Sequence, residues 1–296
     1  MLHVTNGTSV SLGDSGIAGE VLVWSDVLHE GPVPAGLDAN ELRRVRALFL
    51  DNAWPSEYPF LDELSRRDAL MAEHDELALW FEHDLFDQLQ LIQILDRLRE
   101  RDARLSLICI DRYLGRLTGA ELAELWPARH DVTAGEFDLA AAAWRAFRSP
   151  DPMEIARVLE SDTSVLPFLA GALRRHLQQF PSVENGLSRT ERQILEAVAA
   201  GAETFPAIFV ADQQREERIF MGDSSLKRYL QGLVECRHAL LRDDPYALTQ
   251  MGRDVMEGRA DNVRLNGIDR WLGGVHLRGN EALWRWDERA GRLRAV

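Results

Sequence analysis

The sequence predicts an α/β protein. A Rossmann-like N-terminal domain with a mostly parallel sheet leads into a helical bridge and then a winged-helix-like α+β domain. Three observations carry this expectation. Within residues 1–117, four short apolar runs alternate with segments of helical period, the pattern of βαβ units. Residues 118–185 are helical in pattern throughout. Residues 186–296 begin with helix, helix, helix and hairpin signals, the order of a winged helix.

The first strand is Leu2–Thr5, followed at once by Asn6, Gly7, Thr8 and Ser9. Gly7 is expected to take the positive φ of a tight turn. Thr8 and Ser9 are natural N-caps. A strand, a glycine turn and a capped helix start would together cradle an anion, and an ordinary capped turn fits the same residues. The second strand, Glu20–Trp24, runs into a stiff loop with Asp26, His29, Glu30 and two prolines. A helix over Asn40–Asn52 follows, with Arg43, Arg44 and Arg46 off its apolar stripe, where a solvated face is expected. A further helix covers about Asp62–Glu73.

The pivotal stretch is Glu76–Gln88. Its apolar first half reads as a buried strand and its second half opens a helix through Leu98. Asp84 is placed as that helix's N-cap, and Asp87 in the first turn suits the helix dipole. Glu82 and His83 sit where burial without partners would be costly. The last strand, Arg104–Ile110, ends in Asp111 and Arg112. If the sheet is parallel, these strand ends converge at the edge where open α/β sheets bind ligands.

Helices are expected over Gly119–Leu125, Gly135–Phe147, Pro152–Glu160 and Leu166–Phe180. Ser188 to Glu191 is a capping box for Thr190–Ala200. Asp223 would cap Ser224–Cys236, Ala239–Thr249 reads as a hairpin, and Gln250–Glu257 is a short helix. Strands Val275–Leu277 and Leu283–Asp287 would pair, and the tryptophan-rich tail would dock on the protein itself rather than on an external ligand.

Composition excludes several classes. No apolar run approaches the roughly 18 residues needed to span a bilayer. The residues after Met1 lack the pattern of a signal peptide, so a cytoplasmic protein is expected. Two distant cysteines, Cys109 and Cys236, give neither a disulfide framework nor zinc spacing. The net charge is −14. Seventeen basic and seventeen acidic residues cancel from Gly186 onward, so the first 185 residues carry the whole excess. That half repels nucleic acid and anionic membrane. The C-terminal half is neutral and bears Asp243 and Asp244 at the hairpin tip, which disfavours phosphate contact.

Three stretches resemble a known bacterial family: Thr5-Asn6-Gly7, the run Val23-Trp24-Ser25-Asp26 through Gly31-Pro32-Val33, and Trp80-Phe81-Glu82-His83-Asp84 with Asp87-Gln88. The family is domain of unknown function 1835. Gly252-Arg253, Asp269-Arg270-Trp271 and Gly273-Gly274 are similar to domain of unknown function 3658. Many members of the first family read Gly-Asp-Ser in the first turn. Here Gly7-Thr8-Ser9 lacks that carboxylate. The resemblance implies two modules and no reaction.

The functional expectation is a small phosphorylated or nucleotide-type ligand at the strand ends. Asn6, Gly7, Thr8 and Ser9 would cradle the anion, with Asp87 and Arg112 beside it. Asp26, Glu30, His83 and Asp84 would do polar recognition or acid–base work. No metal-ligand spacing is present, no cofactor is implied, and no activity is assigned. The alternatives are a DNA-associated regulator that reads through Ser224–Cys236, and an interaction protein without chemistry, acting through a protein partner or as a homo-oligomer.

Overall fold

The computed structural model describes residues 1–296. The chain divides into two compact units. The first holds residues 1–173 with 273–275, and the second holds residues 174–272 with 276–296. Residues 118–173, read from the sequence as part of a bridge, thus belong to the sheet-bearing unit. No helix is long and apolar enough to cross a membrane.

The first unit contains β1 (Leu2–Thr5), β2 (Glu20–Val23), β3 (Gly31–Pro32), α1 (Ala39–Ala53), α2 (Phe60–Ala72), β4 (Glu76–Phe81), α3 (Leu85–Leu98), β5 (Arg104–Cys109), α4 (Gly119–Leu125), β6 (His130–Asp131), α5 (Ala134–Arg148) and α6 (Met153–Glu160). Its sheet has five strands in the order β2-β1-β4-β5-β6. The four predicted strands are parallel, with Leu2 opposite both Glu20 and Leu77, and Glu76 opposite Arg104. The fifth strand, β6, was not expected. It is two exposed residues paired antiparallel to β5, too short to show an alternation.

β1 lies in mid-sheet with all four residues buried. Leu77, Leu79, Trp80 and Phe81 of β4 are also fully buried. α3 has no solvent stripe along most of its length: eleven of its fourteen residues are buried, among them Gln88, Gln90 and Gln93. Such a helix must satisfy its polar side chains internally. Gln93 Oε1 accepts from Trp24 Nε1 at 2.9 Å, and Gln90 Nε2 donates to the Asp26 carbonyl at 3.1 Å.

Of the three arginines expected on a solvated face of α1, Arg44 is exposed, Arg43 is half-buried and Arg46 is buried. Arg46 is 1% exposed. Its guanidinium grips Asp26, with Nη2 2.7 Å and Nε 3.0 Å from Oδ1. It also donates to the carbonyls of Val27 and Glu30. The charge alone suggested water, and the loop after β2 instead folds over the guanidinium and uses its donors.

Residues 273–275 join the first unit through backbone bonds. Val33 N–H donates to Gly273 O, and Gly274 N–H to Phe147 O, both at 2.9 Å. A Cβ on Gly273 would strike Phe147 O, and one on Gly274 would strike Arg148 O. This close backbone approach is a direct reason for two glycines in succession.

In chain order the boundary falls inside α7 (Leu169–Leu177), shorter than the predicted Leu166–Phe180. The second unit holds α8 (Arg189–Ala199), α9 (Phe205–Gln213), α10 (Asp223–Glu235), the hairpin β7 (Leu241–Arg242) and β8 (Ala247–Leu248), α11 (Gln250–Met256) and α12 (Asn262–Asn266). Ser188 and Glu191 form the expected capping box. Asp223 is the first helical residue of α10, and Gly222 occupies the cap. The tail pairs differently from expectation. β9 (Ile268–Gly273) pairs with β10 (Val275–Gly279), and β11 (Trp284–Asp287) with β12 (Arg292–Ala295). Each strand joins its neighbour in sequence, the shorter loop closure. Trp286 is buried, its backbone N–H donates to Pro181 O at 2.8 Å and its indole Nε1 to Glu288 Oε2 at 2.6 Å, so this tryptophan docks within its own unit.

Removing Arg46 would leave the Asp26 charge buried without its counter-ion. Arg46→Met is expected to lower the unfolding free energy by about 3–5 kcal/mol, read from urea denaturation. A loss below about 1 kcal/mol would mean that the pair behaves like a surface ion pair.

Candidate functional site

β4 ends at Phe81, and the chain then turns through Glu82 and His83 into α3. The strand and the helix are both buried, so the joint must meet its own backbone donors from within. Asp84 does this as N-cap, its Oδ1 accepting Asp87 N–H at 3.1 Å. Asp87 reaches back, its Oδ1 accepting Glu82 N–H at 2.6 Å. Gln88, one residue on, donates from Nε2 to Glu82 O at 2.6 Å.

Two neighbouring loops are tied to the same joint. Asn6, directly after β1, donates from Nδ2 to Asp87 Oδ2 at 2.5 Å. Leu114, beyond β5, donates its N–H to Glu82 Oε1 at 2.6 Å. Glu82, Asp84 and Asp87 thus come together, with one oxygen from each lying within 4.8 Å of the others. All three are buried, and Asp87 is 0% exposed.

Three carboxyl groups so close and so dry resist full ionisation. Burial raises the Asp87 carboxyl well above the usual carboxylate range, and the charges of Asp84 and Glu82 push it further. Hydrogen bonds from Asn6 and from Glu82 N–H oppose the shift. Burial also raises Glu82, against the Leu114 and Gly115 amides and Asn6. The cluster therefore favours retaining a proton or gaining a cation. It offers oxygen donors of the kind that hard divalent cations take, although the 82, 84, 87 spacing matches no standard metal motif.

The first turn lacks the glycine conformation and the helix cap on which the expected anion cradle was argued. Gly7 does not take a positive φ. Thr8 and Ser9 are exposed and cap no helix. The next helical piece is a four-residue 3-10 turn, Leu12–Ser15, whose cap residue Ser11 makes no side-chain cap bond. A helix this short aligns few free amides toward an anion. Ser9 instead lies close over Gly115, where a Cβ would strike its Oγ.

Asp26 is held by Arg46 and reads as a structural anchor of the loop rather than an acid–base group. Glu30 is buried beside His29, with His29 Nε2 3.6 Å from Glu30 Oε1. His83 is buried with its ring 4.9 Å from that of Tyr113 and 6.1 Å from that of Phe168. Arg112 is exposed, and its charge is felt by Glu121. Burial pushes the Cys109 thiol up to about 12, which disfavours the thiolate, and Gln88 Nε2 lies 3.4 Å from Sγ.

Glu82 belongs at the centre of the site, and its position at a buried strand end was the signal for it. The Leu114 amide had no signal, since a backbone donor is placed by the path of its loop.

The raised Asp87 carboxyl has a definite pH signature. The folded state holds this proton more tightly than the unfolded chain, so its contribution is complete at acid pH. It is lost as pH rises from about 4 through the folded-state value. Asp87→Asn carries no titratable group and should show a smaller fall in stability between pH 5 and pH 8 than the wild type. Chemical denaturation at the two pH values measures this, and parallel falls in both proteins would count against a protonated Asp87.

Comparison of the chain with family models, with curated proteins and with solved structures returned no match.

Proposed function

We propose that the first unit binds a small phosphorylated or nucleotide-type ligand at the carboxyl ends of its parallel strands, in the Rossmann-like manner. Glu82, Asp84, Asp87 and Asn6 form the polar centre. The supporting observation is where that centre lies. The strand order reverses at β1, with β2 on one side and β4 and β5 on the other. Ligands of open α/β sheets enter the crevice at such a reversal. Asn6 leaves β1 and Glu82 leaves β4, so the bonds that join them to Asp87 span it.

The chemistry of the centre sets the mode of binding. Carboxylates accept directly from sugar hydroxyls and amino groups. They repel phosphate, and would meet it through a divalent cation with oxygen ligands. Glu30 and His83 remain candidates for recognition around the same edge. The resemblance to domains of unknown function 1835 and 3658 fits the choice of these stretches and names no reaction, so the proposal is one of binding.

A second reading rests on the order α8, α9, α10 and hairpin, which is that of a winged helix. Ser224, Lys227 and Arg228 of α10 are exposed, whereas Ser225 is buried and Asp243 and Asp244 are exposed at the hairpin turn. Acidic residues at a wing tip favour a protein contact over DNA. A gel shift at low salt should show no duplex binding, and a retarded band would favour the regulator.

The ligand is best sought by thermal shift with nucleotides, sugar phosphates and polyphosphates, each with and without Mg²⁺ or Mn²⁺. A ligand at about 100 times its Kd adds roughly 2.7 kcal/mol. For nucleotides, the shift should need the cation and should vanish in Asn6→Ala and Asp87→Asn. No shift across the panel would overturn the proposal in favour of an interaction protein.

A further inference from the structure

The first unit holds a second polar centre, of opposite charge. A cavity of about 150 Å³ is lined by residues of α1, α2, α3 and α5. Five arginines face it: Arg43, Arg46, Arg67, Arg97 and Arg148, with Trp144 as an apolar wall. This concentration stands out in the half of the chain that carries the entire net charge of −14. Arg46 and Arg67 are buried, and Arg43, Arg97 and Arg148 are half-buried. Arginines drawn out of water are ordinarily matched by acids, and these five outnumber the acids around them.

Arg46 is matched by Asp26. Asp68 alone serves three arginines, at 2.8 Å from Arg43, 3.0 Å from Arg67 and 2.9 Å from Arg97. Asp96 also lines the cavity, opposite Arg148. Five guanidinium groups against three carboxyls leave an excess of two positive charges.

Arg67 is the most telling of the five. It is 6% exposed, and its guanidinium lies 3.6 Å from the centre of the Trp24 ring. Nε and Nη2 bond to Asp68, while Nη1 is buried and makes no hydrogen bond within the protein. A charged donor in that position calls for an acceptor. The guanidinium fork fits tetrahedral oxyanions through paired N–H bonds.

Size and charge narrow the class. The cavity has room for roughly five waters at about 30 Å³ each, well below the range of about 300–1,000 Å³ for drug-sized ligands. A whole nucleotide is too large. A phosphate group carries a charge of about −1.5 to −2 near neutral pH, which matches the surplus.

We propose that this cavity is a binding site for a small dianionic oxyanion of the phosphate class, either inorganic phosphate or the head of a small phosphate monoester. The site is separate from the carboxyl centre at the strand ends and does not depend on it.

The test is a titration of inorganic phosphate into the full-length protein at constant ionic strength, with chloride as the balancing salt. Binding is read by calorimetry and by tryptophan fluorescence. A saturable response with one site per chain is expected. Arg43→Gln and Arg97→Gln should each raise the phosphate Kd by roughly tenfold or more, the loss expected for one charged hydrogen bond.

Both arginines also hold Asp68, so a variant that leaves every charge in place is needed. Ala39 lines the cavity and is exposed. Ala39→Trp fills the entrance and should abolish binding while leaving the circular dichroism unchanged. Asp87→Asn should leave phosphate binding intact, which separates this site from the strand-end centre. Absence of a saturable phosphate response in the wild type would overturn the proposal. So would undiminished binding in Ala39→Trp, or succinate binding as tightly as phosphate.

Discussion

The constraint on which the first unit depends is the need to satisfy a backbone that turns from a buried strand into a buried helix. β4 and α3 leave almost no surface at their junction. Water is not at hand for the free amides of a helix start, and those amides must be met by side chains. Asp84 and Asp87 meet them, and the cost is a group of carboxyls in a dry place. The cluster is therefore first a structural solution. Its capacity to bind comes from the same fact, since acids that cap a buried joint retain an electrostatic demand that a proton, a cation or a polar ligand can relieve. Asn6 and the Leu114 amide tie the loops after β1 and β5 into that demand, so the joint organises three strand ends together.

The same unit handles its buried cations in a complementary way. Arg46 is surrounded by acceptors, three of them backbone carbonyls of the loop that it supports. Arg67 is sandwiched between Asp68 and the face of Trp24. Arginine serves here because its planar fork can bond several acceptors at once while its face packs on an aromatic ring. An acidic half-molecule thus contains two opposed interiors, one of carboxyls at the strand ends and one of guanidinium groups among the helices. Net charge described neither of them.

Much of the fold was legible in order of occurrence. The runs Leu2–Thr5, Glu20–Val23, Glu76–Phe81 and Arg104–Cys109 are apolar enough to announce strands, and the helical period between them implied parallel pairing. The pair Ser188 and Glu191 announced a helix start, as did Asp84 before α3. These signals are local: capping and periodicity act over a few residues and survive in the sequence. Features too short or too distant were missed. Two-residue β6 has no period to detect. The tail strands formed neighbouring hairpins, because pairing is chosen by loop closure and packing rather than by strand propensity.

The candidate site divides along the same line. Sequence by itself determined that Asn6, Glu82, Asp84 and Asp87 would lie near strand ends, because each is a few residues from a recognisable strand. Only the tertiary structure decided which of those ends touch, that Gly7 takes no positive φ, and that Asp26 is paired with Arg46. It also decided that Arg43, Arg46, Arg67, Arg97 and Arg148, spread over more than a hundred residues, face one cavity. The physical reason is range. Capping and periodicity are written in neighbouring residues, whereas charge pairing is settled by whichever groups the packed helices bring within a few ångströms, and a linear sequence carries no record of that distance.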